Sequence, residues 1–498
     1  MLAQRLRCLL LPAAAAIALG GLLVSASAAS AAGDQPTGII RVGVPAIAVA
    51  VDPVTDTGYS WAEHTSPLNV IDLATGKVTA SITVPGESEL VHQALAVDSD
   101  TNTLYMLNYF DGSVLVIDGA TDRVAQTITG LEDPTAIAVD SATETVYTAQ
   151  RSGGIAVIDG ATGTVTGSVP AGLVTAMAVD SSTDTIYAAE PDLGYILVID
   201  GATDSVAAHI ADDSLVGGLA DDPATDTLYA ANGLRVTAYD GSTNAAAGSV
   251  AFTETANGIA VNPATGTVFA AVPDAGVLAL ISNAANAVTG SLSLTGANQV
   301  AVDPQTDTLL AVAGGETYVV ALQSPAITSA GATFTVGEQR AITIAATGTP
   351  APDFTESGAL PAGLKLTSDG TVTGTPQPGT AGDYQISVTA ANGVAPAATQ
   401  AFSIVVNQRP AFVSAGHVTF RARAEEHFTI RATGLPVPTV TERRKLPPGL
   451  RFRARGNGTA VISGRAARSA AGKRYVVILS ASNNVGKPAR QRLTIKVT

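Results

Sequence analysis

From residue 39 onward the chain alternates short apolar runs, rich in Val, Ile, Ala, Leu and Tyr, with polar clusters of Asp, Thr, Gly, Ser and Pro. Runs of this kind bounded by turn formers read as strands. Seven times a run ends in Ala-Val-Asp or a near variant, passes through a tight Pro/Ser/Thr turn, and resumes with Thr, an aliphatic residue and usually Tyr. The acid or amide stands at Asp52, Asp98, Asp140, Asp180, Asp222, Asn262 and Asp303, at intervals of 46, 42, 40, 42, 40 and 41 residues.

One period predicts four strands. In residues 174–212 they are 175–179, 185–189, 195–199 and 205–210, separated by Asp/Thr/Gly clusters whose side chains bond nearby amides and whose glycines supply positive φ. A four-stranded sheet of this size cannot bury both faces alone, so such units stack, and radial stacking at this period makes a β-propeller. The seventh unit stops after three strands, before Pro325, and residues 37–43 have the character of the missing one. The expected architecture is all-β, with residues 33–323 forming a seven-bladed β-propeller closed by an N-terminal strand.

Leu228-Tyr-Ala-Ala-Asn232, Leu104-Tyr-Met-Leu-Asn108 and the repeated Val-Ile-Asp-Gly-Ala-Thr at 116–121, 157–162 and 198–203 resemble the YVTN-type β-propeller repeat family. The resemblance covers residues 37–323 and implies a seven-bladed propeller in an exported or surface-associated protein. Some related propellers are lactonases that hold a metal with carboxylate and amide oxygens near the channel mouth, so it leaves an enzyme open.

Two further segments share a phrase. Thr347-Gly-x-Pro, Leu360-Pro-Ala-Gly-Leu364, Gly374 and Ala391-Asn392 recur as Thr433-Gly-x-Pro, Leu446-Pro-Pro-Gly-Leu450, Gly464 and Ser482-Asn483. The offset is 86 at Gly363/Gly449 and 91 at Asn392/Asn483, so the second copy carries a short insertion. Alternating strands with Pro/Gly turns suit two C-terminal immunoglobulin-like β-sandwiches, 324–408 and 409–498. The L-P-x-G-L signature resembles the putative-Ig family of bacterial surface proteins, which implies spacing or binding modules.

Residues 1–32 read as a secretory signal peptide: Arg5 and Arg7, an apolar stretch from Leu9 to Val24, then small-residue sites. The one cysteine, Cys8, precedes that apolar stretch, so the mature chain is expected to carry no thiol, disulfide or lipid anchor. No later stretch is apolar for long enough to span a bilayer, and the expectation is a secreted protein, held noncovalently to the cell wall if at all. Net charge is −15, unevenly divided: residues 33–323 hold 34 acids against 5 bases, and residues 409–498 hold 3 against 18. Such asymmetry bears on partners rather than on fold.

The recurring acids suit turn formation, with Ca²⁺ as the one cofactor the oxygen ligands leave open; no dense metal-ligand loop occurs. Candidate chemistry lies where the units differ. On the variable rim stand Trp61 and His64, Tyr109 and Phe110, and Arg151, which would stack a sugar or clasp a peptide, or simply cap the blades. Five residues before the recurring acid or amide, at the channel mouth, stand Gln93 (with His92 beside it), Asn257 and Asn298. No carboxylate aligns with these amides to activate water, which disfavours a hydrolase. Asp221 occupies a position that is Val in the other copies and reads as an irregularity. In the last segment Arg443, Arg444 and Lys445, and Arg451, Arg453 and Arg455, flank the Leu-Pro-Pro-Gly-Leu turn, and guanidinium forks suit phosphate and carboxylate.

The sequence thus favours a secreted, non-enzymatic binding or adhesion protein. Its propeller, expected to be monomeric, would engage a glycan or a surface protein or peptide. Its basic module would hold anionic cell-wall polymer, with nucleic acid the weaker partner, docking on the acidic propeller a further option, and no membrane insertion. A lactonase-like hydrolase and a structural surface-layer component are the alternatives.

Overall fold

The computed structural model describes residues 38–62, 67–84, 95–109, 111–212 and 216–498. The proposed signal peptide lies outside them. Apart from one short 3-10 turn at Arg468–Ala470, every regular element among the described residues is a β-strand.

Among the described residues, the strands between Ile39 and Ala321 form seven sheets, each a meander in sequence order with one exception. In the period read above the strands are Ala176–Asp180, Thr185–Glu190, Tyr195–Asp200 and Ser205–Ala211, within a residue or two of expectation. The exception is the sheet of Ala297–Asp303, Thr308–Ala313 and Glu316–Ala321, whose fourth strand is the N-terminal Ile39–Pro45. Ile39 pairs with Val320 and Arg41 with Tyr318, antiparallel, and Arg41 forms an ion pair with Glu316.

In the four-stranded sheets the second and third strands are buried along nearly their whole length, whereas the fourth is mostly exposed, alternating in Ser205–Ala211. A middle strand covered on both faces loses the in-out alternation of a half-exposed one. Neighbouring sheets provide that cover. One cluster joins Tyr147 and Ile155 to Met177 and Leu197, and another joins Ile71 and Leu73 of the first unit to Leu310 and Val319 of the last. The first strands contact one another in a circuit that runs from Ala48–Asp52 through each unit to Ala297–Asp303 and back.

Each recurring phrase builds the same turn. The anchors Asp52, Asp98, Asp140, Asp180, Asp222, Asn262 and Asp303 are fully buried. Their Oδ1 atoms accept the amide two residues on, from Val54, Asp100, Ala142, Ser182, Ala224, Ala264 and Gln305, at 2.8–3.1 Å. Four residues after each anchor the backbone enters the left-handed region, at Asp56, Asn102, Glu144, Asp184, Asp226, Gly266 and Asp307. Asx side chains and Gly tolerate that conformation best, so the Asp and Gly of the phrase are dictated by the turn.

The C-terminal strands form two sandwiches of like topology. The strand Ala398–Phe412 belongs to both: it pairs with Gly382–Ala391 through residue 406 and with Glu425–Leu435 from residue 408. Phe334, Phe402 and Ile404 centre the first core, and Phe420, Ile462 and Leu479 the second. The recurring asparagines do identical work. Asn392 Nδ2 donates to the Gln323 and Pro350 carbonyls at 2.8 and 2.7 Å, and Asn483 Nδ2 to those of Gln408 and Pro436 at 2.9 and 2.7 Å.

Candidate functional site

On the variable rim the structure brings two candidates together. The Arg151 Nη1 donates to the Tyr109 hydroxyl at 2.6 Å, linking loops of adjacent units, with the arginine exposed and the tyrosine buried. Trp61 does not present a stacking face. It is fully buried, packed with Tyr59, Leu68, Met106 and Leu107, so the ring fills the core between the first two units. His64, His92, Gln93 and Phe110 lie outside the described residues.

At the channel mouth Asn257 Nδ2 donates to Asn298 Oδ1 at 2.9 Å. Thr135 and Thr175 occupy the same position in other units, and their hydroxyls donate to the Val174 and Val216 carbonyls of the following unit, at 3.0 and 3.3 Å. At these three junctions the polar residues therefore join one unit to the next, and the two amides are partly spent on each other. Among the described residues no group of three or more His, Cys, Asp or Glu side chains is gathered as for a metal ion.

The opposite rim holds carboxyl pairs between units. Burial, followed by the hydrogen bond and charge of Asp140, raises the pKa of Asp184; burial, followed by the charge of Asp303, raises that of Asp56. In the Asn262 unit the pair becomes an amide with a carboxylate: Asn262 Nδ2 donates to Asp307 Oδ1 at 2.7 Å. Asp221 has no hydrogen-bond partner for either oxygen among the described residues, and burial, then Asp180, Asp222 and Asp226, push it up to about 8.

Two cavities on the flank of the repeat region escaped the sequence reading. One, ≈ 360 Å³, is lined by Asp212, Arg235, Thr237 and Tyr239; the buried Asp212 accepts from Asn232 and Tyr239 at 2.7 and 2.8 Å. The other, ≈ 620 Å³, is lined by Glu190, Tyr195 and His209, whose rings meet edge to face at 4.7 Å. Glu190 is buried and accepts from the Gly172 amide. Glu190 falls at the start of one of the loops where the units diverge, but nothing in the repeat signals that it or Asp212 is buried.

In the last sandwich, Arg443, Arg444, Lys445, Arg451, Arg453 and Arg455 are all exposed, and none is in an ion pair among the described residues. They do not form one cluster. Arg443 ends Thr439–Arg443, an edge strand of one sheet; Arg451 and Arg453 lie on Leu450–Gly456, an edge strand of the other, with Arg455 at a bulge. Alternation of burial turns Arg443 outward from its sheet and Arg451 and Arg453 outward from theirs, so the runs diverge onto opposite faces of the sandwich. Sequence reasoning missed Arg474, Arg490, Arg492 and Lys496, which are exposed on the sheet of Arg443. For Arg490, Arg492 and Lys496 the signal was the polar-apolar alternation of Ala489–Val497.

Comparison with known proteins places these observations. Residues 316–407 match the family model described as "Putative Ig domain". The match begins in the strand Glu316–Ala321 of the repeat region and ends in the strand shared by the two sandwiches. A solved structure of RRP9 WD40 repeats is similar at a TM-score of 0.51 and 14% identity, covering 57% of this chain and 97% of that one. A hydrazine synthase structure from Kuenenia stuttgartiensis has a TM-score of 0.49 and 15% identity, covering 58% of this chain and 99% of that one. At 14% identity the WD40 likeness is one of fold: the repeat region is propeller-like. No curated protein matches the sequence.

Proposed function

We propose that this is a secreted, non-enzymatic binding or adhesion protein. A YVTN-type propeller of seven blades, closed by the N-terminal strand over residues 33–323, serves as its recognition head. The first immunoglobulin-like module, 324–408, spaces it from a basic one, 409–498, that associates with anionic cell-wall polymer. Closure is supported by the circuit of first-strand contacts and by the pairing of Ile39–Pro45 with Glu316–Ala321. The rim around Tyr109 and Arg151 is the head's binding face, for a glycan or a peptide.

The observation that carries this reading is the state of Arg443, Arg444, Lys445, Arg451, Arg453 and Arg455, all exposed and, among the described residues, in no ion pair, in a module with 18 bases against 3 acids. Full-length protein should co-sediment with isolated cell walls at low salt and be released near 1 M NaCl, where the Debye length falls to about 3 Å. Protein that stays in the supernatant at low salt would refute the anchoring role.

A further inference from the structure

The strands His417–Phe420, Ala489–Val497, Arg474–Ser482 and Thr439–Arg443 lie side by side in one sheet. Arg474 pairs directly with Lys496, Ser480 with Arg490, and Ile478 with both Arg492 and Arg443 on its two sides. Arg443, Arg474, Arg490, Arg492 and Lys496 are all exposed, while the alternate positions Val477, Leu479, Leu493 and Ile495 fill the core, so the five cations share the outward face. The only acid on these strands, Glu442, alternates with Arg443 and so belongs to the other side. None of the five is in an ion pair among the described residues.

The fold itself does not ask for these charges. The first sandwich has the same register, with Asp383 opposite Val405, Thr389 opposite Thr399, and Ser387 between Ala401 and Ser357. The places of Arg443, Arg474, Arg490, Arg492 and Lys496 are there held by Ser357, Asp383, Thr399, Ala401 and Val405, at the offsets of 86 and 91 residues already read in the sequence. A neutral or acidic face has become wholly cationic. Like charges directly opposite, as at Arg474 and Lys496, destabilise a sheet, so their gain lies outside folding.

We propose that this outward face is the binding surface for wall polymer, and that the polymer it fits is a flexible single chain of phosphodiesters. Residues two apart along a strand are about 7 Å apart, and neighbouring strands about 5 Å. Arg490 and Arg492 thus stand about 7 Å apart, Arg474 and Lys496 about 5 Å, and Arg443 and Arg492 about 10 Å. A polymer with a phosphate at every short repeat can lay successive charges across this lattice. A rigid duplex takes a helix or a two-stranded ribbon into its groove rather than a broad flat face. Guanidinium forks bond phosphate and carboxylate oxygens alike in pairs, so the choice of phosphodiester rests on the regular spacing of its charges along a flexible chain.

This assignment rests on the anchoring role proposed above, and one set of measurements separates the two. Full-length protein is titrated with purified polyglycerol phosphate over a range of NaCl. It is compared with a variant carrying Arg443→Ser, Arg474→Gln, Arg490→Thr, Arg492→Ala and Lys496→Val, four of them residues the first sandwich carries at those places. The variant should melt within a few degrees of the parent, bind roughly 30-fold or more weakly at 50 mM salt, and lose about 3–4 from its slope of log K against log salt, at about 0.7 per phosphate contact. The opposite-face variant Arg451→Thr/Arg453→Thr should lose less. If the parent chain binds no polymer, the anchoring role itself fails. Should the parent bind while the five-fold variant binds equally, or the opposite-face variant lose more, the face is wrongly assigned. Preference of the parent for poly-glutamate or duplex DNA at equal charge, or association with the propeller of a second copy in place of polymer, overturns the choice of ligand.

Discussion

At Asp221 the repeat breaks its own rule, placing a carboxyl where the other units have Val. With burial and three neighbouring acids raising it to about 8, the group is protonated in the folded chain at neutral pH and ionised in the unfolded one. A raised folded pKa means that the folded state is unpenalised below about pH 4 and loses stability as the pH rises toward about 8. Asp221→Val should therefore raise the unfolding free energy at pH 7 by roughly 2–4 kcal/mol, with the gap closing on acidification to pH 4. Thermal melts of both proteins across that range check it. Asp221 was legible because it interrupts a pattern; the burial of Trp61 was not. Strand parity separates inside from outside only where one face meets water, and Thr57–Trp61 is covered on both. As the sole tryptophan, Trp61 should emit at short wavelength, resist iodide quenching and ignore added sugars. Quenching as free as that of a surface indole would return it to the rim.

Between neighbouring elements, the paired acids follow one rule with two chemistries. Asp140 faces Asp184 as carboxyl to carboxyl, whereas Asn262 meets Asp307 with a ready hydrogen bond. Asp140→Asn keeps the Oδ1 acceptor for the Ala142 amide and gives Asp184 a donor. It should add roughly 1–2 kcal/mol at neutral pH, the gain fading in acid as Asp184 protonates on its own. In the sandwiches, the recurring Ala-Asn and Ser-Asn marked the right residues, because a motif that ties two loops must recur wherever the loops do. Asn392 is buried with both amide atoms bonded, Oδ1 accepting from the Val394 amide at 3.1 Å. Asn392→Ala should cost roughly 2–3 kcal/mol by denaturant titration, and Asn483→Ala less, its site being more open to water. Cations adjacent in sequence proved harder to read: a turn between Arg443 and Arg451 sends them to opposite sheets, and only register shows which distant residues join them.

For the whole molecule, the question is what holds the first and last units together. The Arg41–Glu316 ion pair is exposed and contributes little, since solvent screens it and ordering the side chains costs entropy. The backbone ladder of Ile39–Pro45 and the burial of Ile39 beside Val320 carry more. Without them the Glu316–Ala321 edge would present open amides and carbonyls, a template for pairing with other chains. A further seam lies at Gly58, where the other units carry Leu, Val or Ile; even a Cβ there would sit 2.8 Å from Leu73 and 2.9 Å from Leu310. Arg41→Ala should thus melt like the parent. Removal of residues 38–45 should lower the melting temperature by roughly 10 °C or more and promote self-association, and Gly58→Leu should cost about 1–3 kcal/mol by wedging the first unit from the last. If the shortened chain melts with the parent and stays monodisperse, the strand decorates the last sheet without closing the ring, and the circuit is held by its side-chain seams alone.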